Sequence, residues 1–148
     1  MAYTTRELLA RLIKCEAGGE GDDGMRAVAT IITNRANVAY GEFAKISQGG
    51  DVRSIIEQPG QFVCMRSVVG GEYNPQNVWN LDPEDIHYEI ADWALANNTF
   101  SGIGNCLFYF NPYNPQCPPY FPPNGMGVIY NRINAHCFYA PTQKYAQT

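Results

Sequence analysis

Histidine is scarce in this sequence. Only His87 and His136 occur in 148 residues, too few for a histidine-rich zinc centre. Positive charge is scarce as well. Ten Lys and Arg stand against 14 Asp and Glu, a formal net charge of −4, and sequence-independent binding of nucleic acid runs on the opposite sign. No apolar run approaches the roughly 18 residues that a membrane-spanning helix needs. Residues 1–6 lack the apolar stretch of a secretory signal. No Cys-x-x-Cys pair, no Gly-x-Ser-x-Gly elbow and no Gly-rich loop after a strand occurs, which sets aside zinc ribbons, α/β-hydrolases and phosphate-loop enzymes. Carboxylates are missing from residues 101–148. Any carboxylate chemistry must therefore come from the first two thirds of the chain.

What is present describes one folded domain spanning residues 1–148. Apolar residues make up 45% and charged residues 16%, enough to build a core and too little charge for a disordered chain. Five cysteines, an odd number in a chain large enough to fold without staples, read as mostly buried thiols, with one disulfide as the alternative. Thr4 and Glu7 form a capping-box pattern ahead of the stripe Leu8, Leu9, Leu12 and Ile13, and Gly18-Gly19 ends that helix. Asp22 or Asp23 caps a second helix with Met25, Val28, Ala29 and Ile32 on its buried face. Asp51 caps a third, through Ile56. Asp82-Pro83 starts a fourth, running to about Asn97. Beyond Gly104 the pattern changes. Residues 106–110, 127–130 and 136–139 read as short strands, and residues 111–127, with six prolines, as an irregular loop. Helices followed by a small antiparallel sheet make an α+β fold.

Glu16 lies seven residues after Leu9 and four after Leu12, within about 40° of both on a helical wheel. It therefore continues an apolar stripe, toward the interior or a cleft floor. It also occupies the last helical turn. Burial and the negative end of the helix dipole both favour its protonated form, the form a general acid needs. A structural ion pair with Arg11 or Lys14 is the plainer alternative. Glu20, past the two glycines, reads as a loop acid. His87 reads as exposed. A nucleophilic pairing of Cys64 or Cys137 with His136 has no local signature behind it. The segment holding Tyr109, Phe110, Asn111, Tyr113, Asn114, Tyr120, Phe121 and Asn124 combines flat rings with neutral amides. Rings can cover the apolar face of a sugar while amides pair with hydroxyl and acetamido groups. The same rings could equally pack over a small core.

Five blocks, in order, resemble a known family. Cys15-Glu-Ala-Gly-Gly-Glu20 is similar to its A-E-A-R-G-E segment, and residues 27–35 (Ala-Val-Ala-Thr-Ile-Ile-Thr-Asn-Arg) to its A-V-A-x-V-x-x-N-R helix. Residues 56–62 resemble a Y-Q-P-G-x-F turn, 107–112 an L-Y-Y-x-N-P strand and 133–139 a closing I-G-x-H-x-F-Y. The family is that of the SleB/CwlJ-like spore-cortex-lytic cell-wall hydrolases. With no leader and no separate wall-binding domain in view, the chain looks more like the CwlJ branch. The resemblance implies a lysozyme-like fold and action on peptidoglycan, in particular spore cortex carrying muramic-δ-lactam. It implies lytic transglycosylation without a cofactor or metal, and Glu16 as the catalytic acid. Glu20, Gln61, Tyr109 and Asn111 become the expected substrate contacts. The location implied is the coat or cortex of a spore, during germination, with a spore-coat protein as partner. Other outcomes left open are a muramidase with Glu20 or Glu57 as second carboxylate, an amidase, and a glycan-binding coat protein without activity.

Overall fold

The computed structural model describes residues 3–148. Met1 and Ala2, part of the N-terminal run read above, lie outside the described residues. Five helices form the N-terminal part: α1 (Thr5–Ala17), α2 (Gly21–Asn37), α3 (Gly41–Ser47), α4 (Val52–Glu57) and α5 (Asp85–Leu95). A two-stranded ribbon, β1 (Val68–Val69) and β2 (Glu72–Tyr73), interrupts them. The C-terminal part is a three-stranded antiparallel sheet, β3 (Phe108–Phe110), β4 (Gly127–Ile133) and β5 (His136–Pro141), in the order β3-β5-β4. Helix α6 (Gln143–Ala146) closes the chain. Among the described residues no helix is long and apolar enough to cross a membrane.

Helix α2 organises the interior. Ala27, Val28, Ala29, Ile31 and Ile32 are all fully buried, so the middle of the helix is enclosed nearly all round and acts as the core axis. Helix α1 lays Leu8, Leu9, Leu12 and Ile13 against it, and α5 adds Ile90, Ala91 and Ala94. Thr4 Oγ1 accepts from the Glu7 amide at 3.1 Å, which is the expected cap of α1. The central strand β5 buries Cys137, Phe138 and Tyr139, joining the sheet to the same core. Opposite Tyr130 the register between β4 and β5 shifts, a bulge in the edge strand.

Several sequence expectations are corrected. The cysteines are not mostly free thiols: Cys15–Cys64 and Cys117–Cys137 are disulfides, and Cys106 alone is a buried thiol. Separations of 49 and 20 residues carry no local signal; only the fold brings the pairs to Cα distances of 6.2 and 5.9 Å. Helix α2 begins at Gly21, so Asp22 and Asp23 are not its cap. They lie in its first turn, where their charge suits the dipole, and Asp22 pairs with Arg26 at 2.6 Å. Helix α5 starts after Asp82-Pro83, at Asp85, because Glu84 and His87 form a reciprocal capping box. His87 is buried rather than exposed, and its Nδ1 accepts from the Glu84 amide at 2.9 Å. The short helix α3 and the ribbon β1–β2 had no counterpart in the sequence reading.

Candidate active site

Glu16 stands on the last turn of α1, where a long cleft runs between the helices and the sheet. The cleft has two lobes of about 530 and 460 Å³. Four residues line both: Glu16, Asn111, Tyr113 and His136. Glu16 is thus at their junction.

Its carboxyl group is tightly held. Tyr109, in the middle of β3, donates its hydroxyl to Glu16 Oε1 at 2.6 Å. Burial pushes the Glu16 carboxyl above its ordinary value. The Tyr109 hydroxyl, the Cys64 backbone amide and the charge of Arg35 oppose the rise without cancelling it. Burial and the neighbouring carboxylate hold the Tyr109 phenol well above its usual range, so it remains a donor. The Tyr109 ring stacks on Phe138 at 6.0 Å and meets His136 edge-on at 5.2 Å. The Cys15–Cys64 disulfide fixes the Cys64 segment beside the acid.

Arg35, from α2, lines the larger lobe and is only 5% exposed. Its Nε donates to the Leu107 carbonyl at 2.7 Å and its Nη1 to Gln61 Oε1 at 3.3 Å. The rings of Phe43, Phe62 and Phe108 surround it. Burial lowers its pKa to about 10, so it stays charged at neutral pH. No ion pair to Arg35 occurs among the described residues. The side chain is a permanent positive charge in the cleft wall.

All five residues expected at the site line the cleft. Gln61 does so while accepting from Arg35. Asn111 falls one residue past β3, and its Oδ1 accepts from the Tyr113 amide at 2.8 Å. Glu20 lines the smaller lobe, but its Oε1 accepts from the Ala135 amide at 2.9 Å and its carbonyl from Asn134 Nδ2. His136 Nδ1 lies 3.3 Å from the same Oε1 without hydrogen-bond alignment, and burial lowers the pKa of this 8% exposed ring while Glu20 pulls it back up. Glu20 thereby ties the loop after α1 to the β4–β5 turn. Glu57 does not line the cleft and pairs with Arg53 at 3.4 Å. The sequence reading missed Arg35. Two apolar residues, Ile31 and Ile32, precede Arg35 within one turn and a half, but nothing local says that the fold surrounds it with rings.

The cell wall hydrolase family model matches residues 19–139. The chain belongs to this family. It is an enzyme of cell-wall breakdown, and the matched segment begins three residues after Glu16. The cell wall hydrolase CwlJ of Halalkalibacterium halodurans is 27% identical over 136 residues, 92% of this chain and 85% of the relative. A spore cortex-lytic enzyme of Oceanobacillus iheyensis is 34% identical over 106 residues, 72% of this chain and 32% of that longer protein. The catalytic domain of the germination-specific lytic transglycosylase SleB from Bacillus anthracis superposes with a TM-score of 0.64 at 23% identity, covering 93% of this chain and 97% of that domain. The cell wall hydrolase thus has the α+β architecture expected, shared with that domain.

Proposed function

We propose that this cell wall hydrolase cuts the glycan strand of spore-cortex peptidoglycan by lytic transglycosylation, with Glu16 as its single acid–base. The protonated carboxyl gives its proton to the glycosidic oxygen as the C1–O bond of the muramic residue breaks. The resulting carboxylate takes the proton of that residue's C6 hydroxyl, whose oxygen closes on C1. One bond is broken and one formed, the proton returns to Glu16, and no water enters. The product ends in a 1,6-anhydro ring. Between the two steps the carboxylate is stabilised by the Tyr109 hydroxyl, the Cys64 amide and the Arg35 charge, the same three groups that oppose the rise in its pKa.

One observation carries this reading: Glu16 is buried at the junction of the two lobes with the pKa of its carboxyl group raised by that burial, and the other carboxylates lining the cleft are engaged elsewhere. Glu20 holds the Ala135 amide, Glu42 accepts from Gln58 at 3.0 Å, and Glu84 pairs with Lys14 at 3.7 Å. A two-carboxylate hydrolase needs a second acid free to act as nucleophile or base. A transglycosylase does not, since its substrate supplies the nucleophile. Names of relatives support cortex as the substrate and the spore, at germination, as the place.

The test is mass analysis of muropeptides released from cortex by the purified enzyme. Fragments one water lighter than reducing ends are expected. Reducing ends in their place mean hydrolysis, and free stem peptides mean an amidase.

A further inference from the structure

Tyr113 is conspicuous in three independent ways. It is 90% exposed, the most exposed large ring among the described residues. It touches both lobes of the cleft, beside Glu16. Its backbone has φ of +49°, a left-handed conformation that is unusual for a bulky residue. An exposed tyrosine alone needs no explanation. A strained one, held over a cleft junction, does.

The surrounding segment enforces that conformation. Asn111 Oδ1 accepts from the Tyr113 amide at 2.8 Å and closes the turn that turns the ring outward. The next residue's carbonyl, that of Asn114, accepts from Arg132 Nη1 at 2.8 Å. The Cys117–Cys137 disulfide anchors the same loop to the central strand β5. A proline-rich loop with these ties holds the Tyr113 backbone at the junction of the two lobes. Among the described residues the ring packs in no aromatic pair, and at 90% exposure its face is open.

We propose that Tyr113 is the platform on which one sugar ring of the glycan strand stacks as the strand crosses from one lobe to the other past Glu16. This rests on reading the cleft as a glycan site. A flat ring covers the apolar face of a pyranose and leaves its hydroxyl and acetamido groups free for Asn111 Nδ2, Gln61 and His136. The phenol hydroxyl contributes nothing essential; the ring face does. Tyr113 then sets the register of the strand, because a stacked sugar fixes which glycosidic oxygen comes opposite the acid.

Binding of a soluble tetrasaccharide of alternating N-acetylglucosamine and N-acetylmuramic acid to the Glu16→Gln protein tests this without turnover. Tyr113→Phe and Tyr113→Trp in that background keep the affinity. Tyr113→Gly and Tyr113→Asn, which suit a positive φ, lower it about tenfold or more and melt at or above the parent. Unchanged affinity in Tyr113→Gly and Tyr113→Asn overturns the inference alone. So does a lowered melting temperature in both, which would make the ring a packing residue. No binding by the Glu16→Gln parent itself overturns the glycan reading of the cleft, and the inference with it.

Discussion

Replacing Tyr109 with Phe removes one atom from the site and leaves nearly everything else in place. The phenyl ring keeps its stack on Phe138 and its edge contact with His136. What is lost is the 2.6 Å hydrogen bond to Glu16 Oε1. A hydrogen bond to a charged group is worth about 1.5–3 kcal/mol, and 1.36 kcal/mol corresponds to about one pKa unit. The hydroxyl favours the ionised carboxylate, so its removal lets burial act with less opposition. The Glu16 pKa, already above its ordinary value, should climb further. The acid then stays protonated to higher pH. In a pH series of kcat for cortex digestion, the alkaline limb should move toward higher pH by about one pH unit or more, because this limb reports the acid in the bound complex. Turnover on the acidic side should also fall, since the carboxylate formed in mid-reaction loses a donor. An alkaline limb that stays in place, or moves toward acid, would refute the assignment of Tyr109 as the group that tunes Glu16.

Glu16→Gln should lower cortex turnover by about 10²–10⁴-fold or more while the protein stays folded. Because the folded-state pKa of Glu16 is raised, its contribution to stability is present at low pH and is lost as pH rises through that value. The variant should therefore melt increasingly above wild type from acid toward neutral pH, and a gap that narrows instead contradicts the direction of the shift. Cys117→Ser with Cys137→Ser opens a loop of 20 residues in the sequence separation; this should cost about 3 kcal/mol, roughly 10 °C in melting temperature for a chain of this length, and calorimetry of the double variant against wild type checks it. Exhaustive dialysis against a strong chelator should leave cortex digestion intact, and an activity lost there and restored by zinc would point to amidase chemistry.

Periodicity made Glu16 legible. Its offsets from Leu9 and Leu12 placed it on the buried stripe of α1, and its raised pKa follows from that position. The three strands were legible too, at residues 106–110, 127–130 and 136–139, because β-formers stood between breakers; the turn expected at Asn131–Asn134 is shorter, since β4 runs on through Asn131 and Arg132 to Ile133. Arg35 was not. Its role depends on Phe43, Phe62 and Phe108, which come from three separate segments and meet only in the folded chain. The disulfides were hidden for the same reason. Helix α3 buries only Phe43 and Ser47, too little to leave a helical stripe. Glu20 shows the opposite failure: it read as a loop acid and a substrate contact, yet the β4–β5 turn claims its carboxylate from 115 residues away.

The hydrogen bond between Tyr109 and Glu16 joins residues 93 apart. During synthesis at about 5–20 residues per second, roughly 5–20 seconds separate the two side chains. Helices α1 and α2 can meet early, since they are neighbours in the chain. The Glu16 carboxyl they carry still lacks its Tyr109 donor and the sheet side of its cleft. Those arrive with β3 and β5, in the last third of the chain. A fragment released early would contain the Glu16 carboxyl but not the full surroundings that bury and hold it. The surroundings of Glu16 are thus completed only by the last third of the chain to be made.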